Sequence, residues 1–201
     1  MSGKEKEAVH MDPQYIIRLT VTLFVTCVVV AACLGGVNAV TAEKIAAINW
    51  EKTVTAMKKV SPDATDFSDK LPVTDAMAEA AKAAGGTLDS VYEAQAGGAK
   101  IGYAIKVIAS GSQGNIEMMV GVDEENAVTG VSVVKASETS GIGSRVIENE
   151  NGVLDQFQGK SAADGTLVVG TNVDAITGAT VSTKGITAGV NAALAAANAI
   201  G

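Results

Sequence analysis

The clearest secondary-structure pattern in the chain lies in "YAIKVIASGSQGNIEMMVGVDEENAVTGVSVVKA", residues 103–136. Apolar side chains alternate along 103–109 and along 116–122, which is the period of a strand with one buried face. Residues 128–136 follow the polar turn at 123–126, as the second arm of a hairpin would. The stretch therefore predicts an antiparallel sheet whose inward-facing residues are Tyr103, Ile105, Val107, Ala109, Ile116, Met118, Val120 and Val122.

Further elements are predicted on both sides of this stretch. Upstream, "TDAMAEAAKAAGG" (74–86) is typical of a short helix capped by Thr74 or Asp75 and stopped by Gly85-Gly86. Downstream, "TLVVG" (166–170) predicts one more strand. The fold class is therefore α+β, with helices packed on an antiparallel sheet.

The N-terminal part of the chain carries a long uncharged stretch, "LTVTLFVTCVVVAACLGGVNAV" (19–40). As a helix it would extend roughly 33 Å, about the hydrocarbon thickness of a bilayer. Its threonines at 20, 22 and 26 can return their hydroxyls to the helix backbone. The apolar spacing continues past this stretch and predicts a helix that ends at Ser61-Pro62.

The basic residues before this stretch favour a cytoplasmic N-terminus. The predicted organisation is a cytoplasmic tail (1–18), a single transmembrane helix (19–40) and an extracytoplasmic domain (41–201). Two alternatives stay open, a cleaved signal peptide and a lipoprotein signal with Cys33 as the lipidated residue. Both would also send the domain across the membrane. We otherwise expect Cys27 and Cys33 to be buried thiols.

Composition excludes several classes of function. The formal net charge is −7 and aromatic residues make up 3%, so neither a basic groove nor a stacking platform for nucleic acid is expected. His10, in the N-terminal tail, is the only histidine. A histidine metal site or a histidine-based catalytic dyad or triad in the domain is therefore excluded.

The stretch "DAITGATVSTKG" (174–185) is the main candidate for a functional site. The apolar stripe Ile186, Val190 and Leu194 predicts a helix that begins near Thr180 to Thr183. The unpaired N–H groups and the dipole of a helix N-terminus favour a bound anion. Lys184 would lie in the first turn, and Gly178 and Gly185 would allow close backbone approach. The alternative is an ordinary turn and helix cap.

"DAITGAT" (174–180) resembles the Asp-x-x-Ser/Thr-Gly-Ala-Thr signature that bacterial flavin transferases recognise. In proteins that carry the signature, the last threonine is joined through its side-chain oxygen to the phosphate of FMN. The resemblance implies that FMN is linked covalently to Thr180 and that the transferase recognises Asp174. The other cofactor-binding candidates around this threonine are Thr177, Gly178, Ala179, Ser182 and Lys184.

A second stretch, "SETSGIGSR" (137–145), resembles the Glu-Thr-Pro-Gly-Leu-Gly loop of FMN-binding domains. Ser140 stands where the loop usually has proline, and Ile142 where it usually has leucine. The resemblance implies that this loop passes beneath the flavin ring, with Ile142 against its apolar face. Its cofactor-binding candidates are Glu138, Thr139, Gly141, Ile142 and Gly143.

Together with the N-terminal stretch, these motifs make nearly the whole chain similar to the G subunits of Rnf electron-transport complexes. Such complexes move electrons between reduced ferredoxin and NAD and couple this to Na⁺ or H⁺ translocation. The resemblance implies a single-pass flavoprotein of the bacterial inner membrane, inactive alone. Its partners would be the other membrane and redox subunits, including a second flavinylated membrane subunit, and the transferase.

Three alternatives remain at this point. The C subunit of the sodium-translocating NADH:quinone oxidoreductase contains the same domain but is usually longer. A free-standing extracytoplasmic flavin electron carrier would keep the cofactor without the complex. An anchored binding module or lipoprotein without flavin would use the "TGAT" residues only as a cap.

Overall fold

The computed structural model describes residues 13–136, 146–149, 152–175 and 177–200, and the chain divides into two units at residues 49 and 50. Helix α1 runs from Pro13 to Val60, and its residues from Trp50 onward belong to the second unit. It ends directly before Ser61-Pro62, as the sequence predicts. One stretch of α1 is long and apolar enough to cross a membrane.

The threonine hydroxyls of α1 are hydrogen-bonded within the helix, whereas its two cysteines are exposed. Thr20, Thr22 and Thr26 donate their hydroxyls to carbonyl oxygens four residues earlier, at 2.9, 2.8 and 2.8 Å, which confirms that they satisfy themselves within the helix. Cys27 and Cys33 are exposed on the chain. The prediction of buried thiols is therefore wrong for the isolated chain, because no other part of the described chain covers the side chains of this part of α1.

The second unit is built on a sheet, and within the described residues that sheet has five strands. They are arranged in the order of the chain, and each is antiparallel to its neighbour. The strands are β1 (Asp66–Phe67), β2 (Gly86–Ala96), β3 (Ala99–Ser110), β4 (Asn115–Asp123) and β5 (Val128–Ala136). This confirms the predicted α+β class and the three strands of residues 103–136.

Helices α2 (Asp75–Ala83) and α3 (Thr180–Asn198) pack on one face of the sheet. All eight predicted inward-facing residues of β3 and β4 belong to this main core. The opposite face carries a smaller cluster, in which Met57 and Val60 at the end of α1 pack against Tyr92 and Met119. The central strands are therefore covered on both faces, which explains the nearly continuous apolar run of β4.

The sequence prediction fails at three strands, the first of which is β1, whose two residues (Asp66–Phe67) are too few to show an alternation. The pattern did not predict β2, whose polar residues and register shift between Leu88 and Ser90 interrupt the alternation. The strand predicted at 166–170 is wrong, since only Val169 forms an isolated bridge, to Val173. The backbone of Leu167 is instead hydrogen-bonded to the side chain of Asn191 on α3. An amide side chain thus replaces the neighbouring strand that the pattern suggested.

Candidate functional site

Residues 174, 175, 177 and 178, hereafter the arch, are exposed on the surface just before α3. Val173 before the arch and Ala179 after it are both buried in the main core, 2% and 3% exposed. Between them, Asp174, Thr177 and Gly178 are exposed. Two buried apolar side chains therefore hold the ends of the segment while most of the predicted signature faces solvent.

The first turn of α3 has no ordinary side-chain cap. The helix begins at Thr180, as the sequence predicts, and its N-cap residue is Ala179, which makes no side-chain capping hydrogen bond. Thr183 donates both its N–H, at 2.9 Å, and its hydroxyl, at 3.0 Å, to the carbonyl oxygen of Ala179. The expected side-chain cap is therefore absent at Ala179, although residues 177 and 178 do form a turn and the helix does start at Thr180.

Two small residues in the signature have clear structural reasons. Gly178 has a φ angle of 84°, a backbone conformation that residues other than glycine rarely adopt. This conformation directs the chain from the arch towards the start of α3. Ala179 lies in the core, where a larger side chain would need space that the packing does not provide. The pair places Thr180 at the first helical position with its side chain exposed.

The surroundings of Thr180 favour a phosphate. The N–H groups of Thr180 and Val181 precede the first intrahelical hydrogen bond, which the N–H of Thr183 makes, and the helix dipole adds partial positive charge at the same place. Lys184 is exposed one turn later, and among the described residues no carboxylate lies within salt-bridge distance of its ammonium group. Ser182, in contrast, is buried on the inner side of the helix. An anion at Thr180 would thus meet N–H donors and one cation.

Gly185 has a different role from the one that the sequence suggested. A Cβ atom at this position would meet the carbonyl oxygen of Ser110 and would lie 3.3 Å from the Cα of Gly111. The residue therefore allows α3 to approach the β3–β4 turn. Its missing side chain serves packing of the helix and not approach of a ligand.

Gln156, which no sequence pattern singled out, holds the start of the arch. Its side-chain amide accepts a hydrogen bond from the N–H of Asp174 at 2.7 Å and donates to the carbonyl oxygen of Asp174 at 3.0 Å. It also donates to the carbonyl oxygen of Val153 at 2.7 Å. The carboxylate of Asp174 takes no part in this pairing and remains exposed. Because the two residues are 18 positions apart, no local pattern could have predicted the pairing.

The rest of the predicted site is only partly described. The second predicted loop, with Glu138, Thr139, Gly141, Ile142 and Gly143, lies outside the described residues. Lys135, just before it on β5, is exposed and lies 3.6 Å from the carboxylate of Glu117. Two cavities of about 410 and 290 Å³ occur elsewhere in the second unit, and no arch residue lines either of them.

Comparison with known proteins assigns a family. The sequence model of the FMN-binding domain family matches residues 111–195, a range that contains the arch and most of α3. The chain is 34% identical over 197 residues to the G subunit of the Na(+)-translocating ferredoxin:NAD(+) oxidoreductase complex of Acetobacterium woodii, covering 92% of this chain and 93% of the relative.

Two further relatives carry similar names. The G subunit of the ion-translocating oxidoreductase complex of Methanosarcina acetivorans is 30% identical over 186 residues, which cover 91% of this chain and 95% of the relative. The G subunit of the proton-translocating ferredoxin:NAD(+) oxidoreductase complex of Clostridium ljungdahlii is 29% identical over 180 residues, covering 88% and 86%. The chain therefore belongs to the family of G subunits of ion-translocating (Rnf) oxidoreductase complexes and contains an FMN-binding domain.

Proposed function

We propose that this protein is the membrane-anchored flavoprotein component, the G subunit, of an ion-translocating ferredoxin:NAD⁺ oxidoreductase and carries electrons through FMN linked covalently to Thr180. The single observation that carries the proposal is the geometry of Thr180. Its side chain is exposed at the first position of α3, at the end of an arch whose ends are buried. The match to the FMN-binding domain and the names of the relatives support the cofactor and the complex.

Attachment of the cofactor would require an accessible acceptor hydroxyl. The transferase would join the Thr180 oxygen to the FMN-side phosphorus of FAD. The bond between the two phosphates would break and AMP would leave, while the hydroxyl proton would pass to the solvent or to the leaving phosphate. No electrons are transferred in this step. The flavin transferase and a divalent metal supply the catalysis, and the chain supplies the acceptor and the signature, in which Asp174 is exposed for recognition.

The chain's own residues fit the group once it is attached. The phosphodiester retains about one negative charge, which the first-turn N–H groups and the helix dipole stabilise. Lys184 adds an exposed cation one turn away. Bound at this position, FMN supplies one-electron and two-electron redox chemistry, and the protein supplies position and electrostatics. The covalent link prevents loss of the cofactor from an exposed surface.

We further propose that the apolar part of α1 spans the membrane once and that the FMN-binding domain lies on the extracytoplasmic side. The length and hydropathy of α1 support the anchor. The basic residues before the span support the orientation. The other membrane and redox subunits of the complex, one of them also flavinylated, would donate and accept the electrons, so the isolated chain should have no oxidoreductase activity of its own.

The test uses the full chain, produced with and without a bacterial flavin transferase and purified in detergent. With the transferase, the chain should gain the mass of one FMN less one water and should stay yellow after denaturation. Thr180→Ser keeps the hydroxyl and should still be modified, whereas Thr180→Ala should be colourless. Thr171→Ala removes another exposed hydroxyl from the preceding loop and serves as the matched control. A Thr180→Ala chain that still gains the FMN mass would refute the assignment.

A further inference from the structure

Gln156 holds the arch through main-chain atoms alone. Its Oε1 accepts the Asp174 N–H, and the two protons of its Nε2 are donated to the carbonyl oxygens of Asp174 and Val153. The amide thus uses both of its donors and one acceptor position. We propose that Gln156 is a positioning residue for flavinylation, which fixes the main chain at Asp174, the first residue of the signature, in the conformation that the flavin transferase recognises. The inference rests on the proposed attachment at Thr180.

The support behind Gln156 is firm. Gln156 lies in the 3₁₀ turn Asp155–Phe157, and the side chain of Phe157 is buried in the main core at 1% exposure. Just beyond this turn, the N–H of Gly159 donates to the carbonyl oxygen of Val128 at 2.8 Å, and the N–H of Val128 donates to that of Lys160 at 2.9 Å. The turn is therefore tied to the start of β5.

The turn is also braced from the other side. Asn149 donates from its side-chain nitrogen to the carboxylate of Asp155 at 2.8 Å and accepts the N–H of Leu154 at 2.6 Å. Leu154 is itself buried, 2% exposed. The amide of Gln156 is thus presented to Asp174 from a segment fixed by the core, the sheet and a side-chain brace.

These contacts fix the main chain at Asp174, where the arch begins. The N–H and the carbonyl of Asp174 are both paired, so the direction of the chain at this residue is set, while the carboxylate stays exposed. At the other end, burial of Ala179 sets the position of Thr180. An enzyme that must bring Asp174 and the Thr180 oxygen into one active site gains when the main chain at Asp174 and the position of Ala179 are set before binding.

The chain offers a matched control for this pairing. Asn191 on α3 holds Leu167 in the same way, accepting the Leu167 N–H at 3.0 Å and donating to the Leu167 carbonyl oxygen at 2.9 Å. Leu167 precedes the arch and is not part of the signature. Breaking the two pairings should therefore cost a similar number of hydrogen bonds but have different effects on modification.

The experiment compares four variants of the full chain in detergent: Gln156→Glu, Gln156→Met, Asn191→Asp and Asn191→Leu. Each is incubated with purified flavin transferase, FAD and Mg²⁺, and the modified fraction is followed by intact mass over a range of chain concentrations. The Gln156 variants should be modified about tenfold more slowly at low chain concentration, the effect of losing one to two fixing hydrogen bonds. The Asn191 variants should stay within about twofold of wild type.

A second measurement reads the arch itself, without the transferase. Amide hydrogen exchange at Asp174 should be faster in the Gln156 variants and unchanged in the Asn191 variants. Exchange at Leu167 should be faster in the Asn191 variants and unchanged in the Gln156 variants. Equal modification rates for Gln156 variants and wild type would overturn the inference, as would an equal loss in the Asn191 variants. A wild-type chain that is never modified would overturn the proposed function as well, so the two failures are distinguishable.

Discussion

Replacement of Gly185 by alanine tests how α3 is seated on the sheet. Gly185 is buried, and a Cβ atom there would meet the carbonyl oxygen of Ser110 while lying 3.2 Å from the carbonyl carbon of the same residue. These are backbone atoms of the β3–β4 turn and cannot rotate away. The helix or the turn must shift to accept the methyl group.

Gly189, four residues later on the same face, provides the comparison. A Cβ atom at Gly189 would lie 2.6 Å from both Cε and Sδ of Met118. The end of a methionine side chain can move by changing its rotamer, so this contact costs less to relieve. The two glycines thus differ in whether the atom that blocks the methyl group is backbone or flexible side chain.

The magnitudes follow from two opposing effects. Alanine gains about 1 kcal/mol over glycine in a helix interior. Forcing an extra carbon into a packed core costs about 1–3 kcal/mol. The backbone obstacle at Gly185 places the packing cost at the upper end of that range. Gly185→Ala should therefore lower the free energy of unfolding by about 2 kcal/mol, which corresponds to a fall in Tm of about 4–8 °C. With the flexible obstacle at the lower end, Gly189→Ala should change stability by about 0 kcal/mol.

Thermal unfolding of the full chain in detergent measures both variants. Trp50 is the only tryptophan, and its ring centroid lies 6.2 Å from that of Tyr92 on β2, so its fluorescence reports on the unit that contains the sheet. A Gly185→Ala chain as stable as wild type would refute the close approach of α3 to the β3–β4 turn. A loss in Gly189→Ala as large as that in Gly185→Ala would refute the distinction between the two obstacles.

Two further predictions concern the residue before α3, Ala179, and the dependence of stability on pH in acid. Ala179→Leu should lower the free energy of unfolding in urea by about 1–3 kcal/mol, because the larger side chain must enter the core, and unchanged stability would contradict that burial. Hydrogen bonds from the N–H and then the hydroxyl of Ser161 lower the pKa of Asp164 below its ordinary value of 3.8. Since the pKa is lower in the folded state, this contribution is present above about pH 4 and is lost as the pH falls through the folded pKa. Ser161→Ala should therefore show a shallower fall of Tm than wild type below pH 3.8, and identical acid profiles would contradict the pairing.

The central sheet could be predicted from sequence because its signal is local. Tyr103, Ile105 and Val107 alternate with other residues over a whole strand, and the partner strands follow after short polar turns. Burial of one face then fixes the register. The cap of α2 was equally local, since the Thr74 side chain accepts the N–H of Met77 only three residues away, at 3.3 Å.

The rest depended on partners distant in sequence. Val168 and Val169 resemble a strand, but the backbone of the adjacent Leu167 is paired with the side-chain amide of Asn191, which lies 24 positions away. Gln156 carries no signal in its own neighbourhood that would connect it with Asp174. Side-chain amides that replace backbone partners are set by the tertiary structure, and a single sequence does not reveal them.

The candidate site divides in the same way. The helix start at Thr180 and the glycine turn at Gly178 follow from local pattern, and the structure has both. The assignment of a flavin came from the resemblance of "DAITGAT" to a known signature, which no periodicity or charge pattern would have supplied. The supports of the arch, Val173, Ala179 and Gln156, became visible only in the fold.

The most direct test of the central claim is the intact mass of the chain isolated from its native membranes, followed by mapping of the peptide that contains the arch and the start of α3. We expect a chain heavier by one FMN less one water, with the added group on the Thr180 oxygen. A chain of unmodified mass from membranes in which the flavin transferase is active, or an added FMN on any other residue, would contradict it.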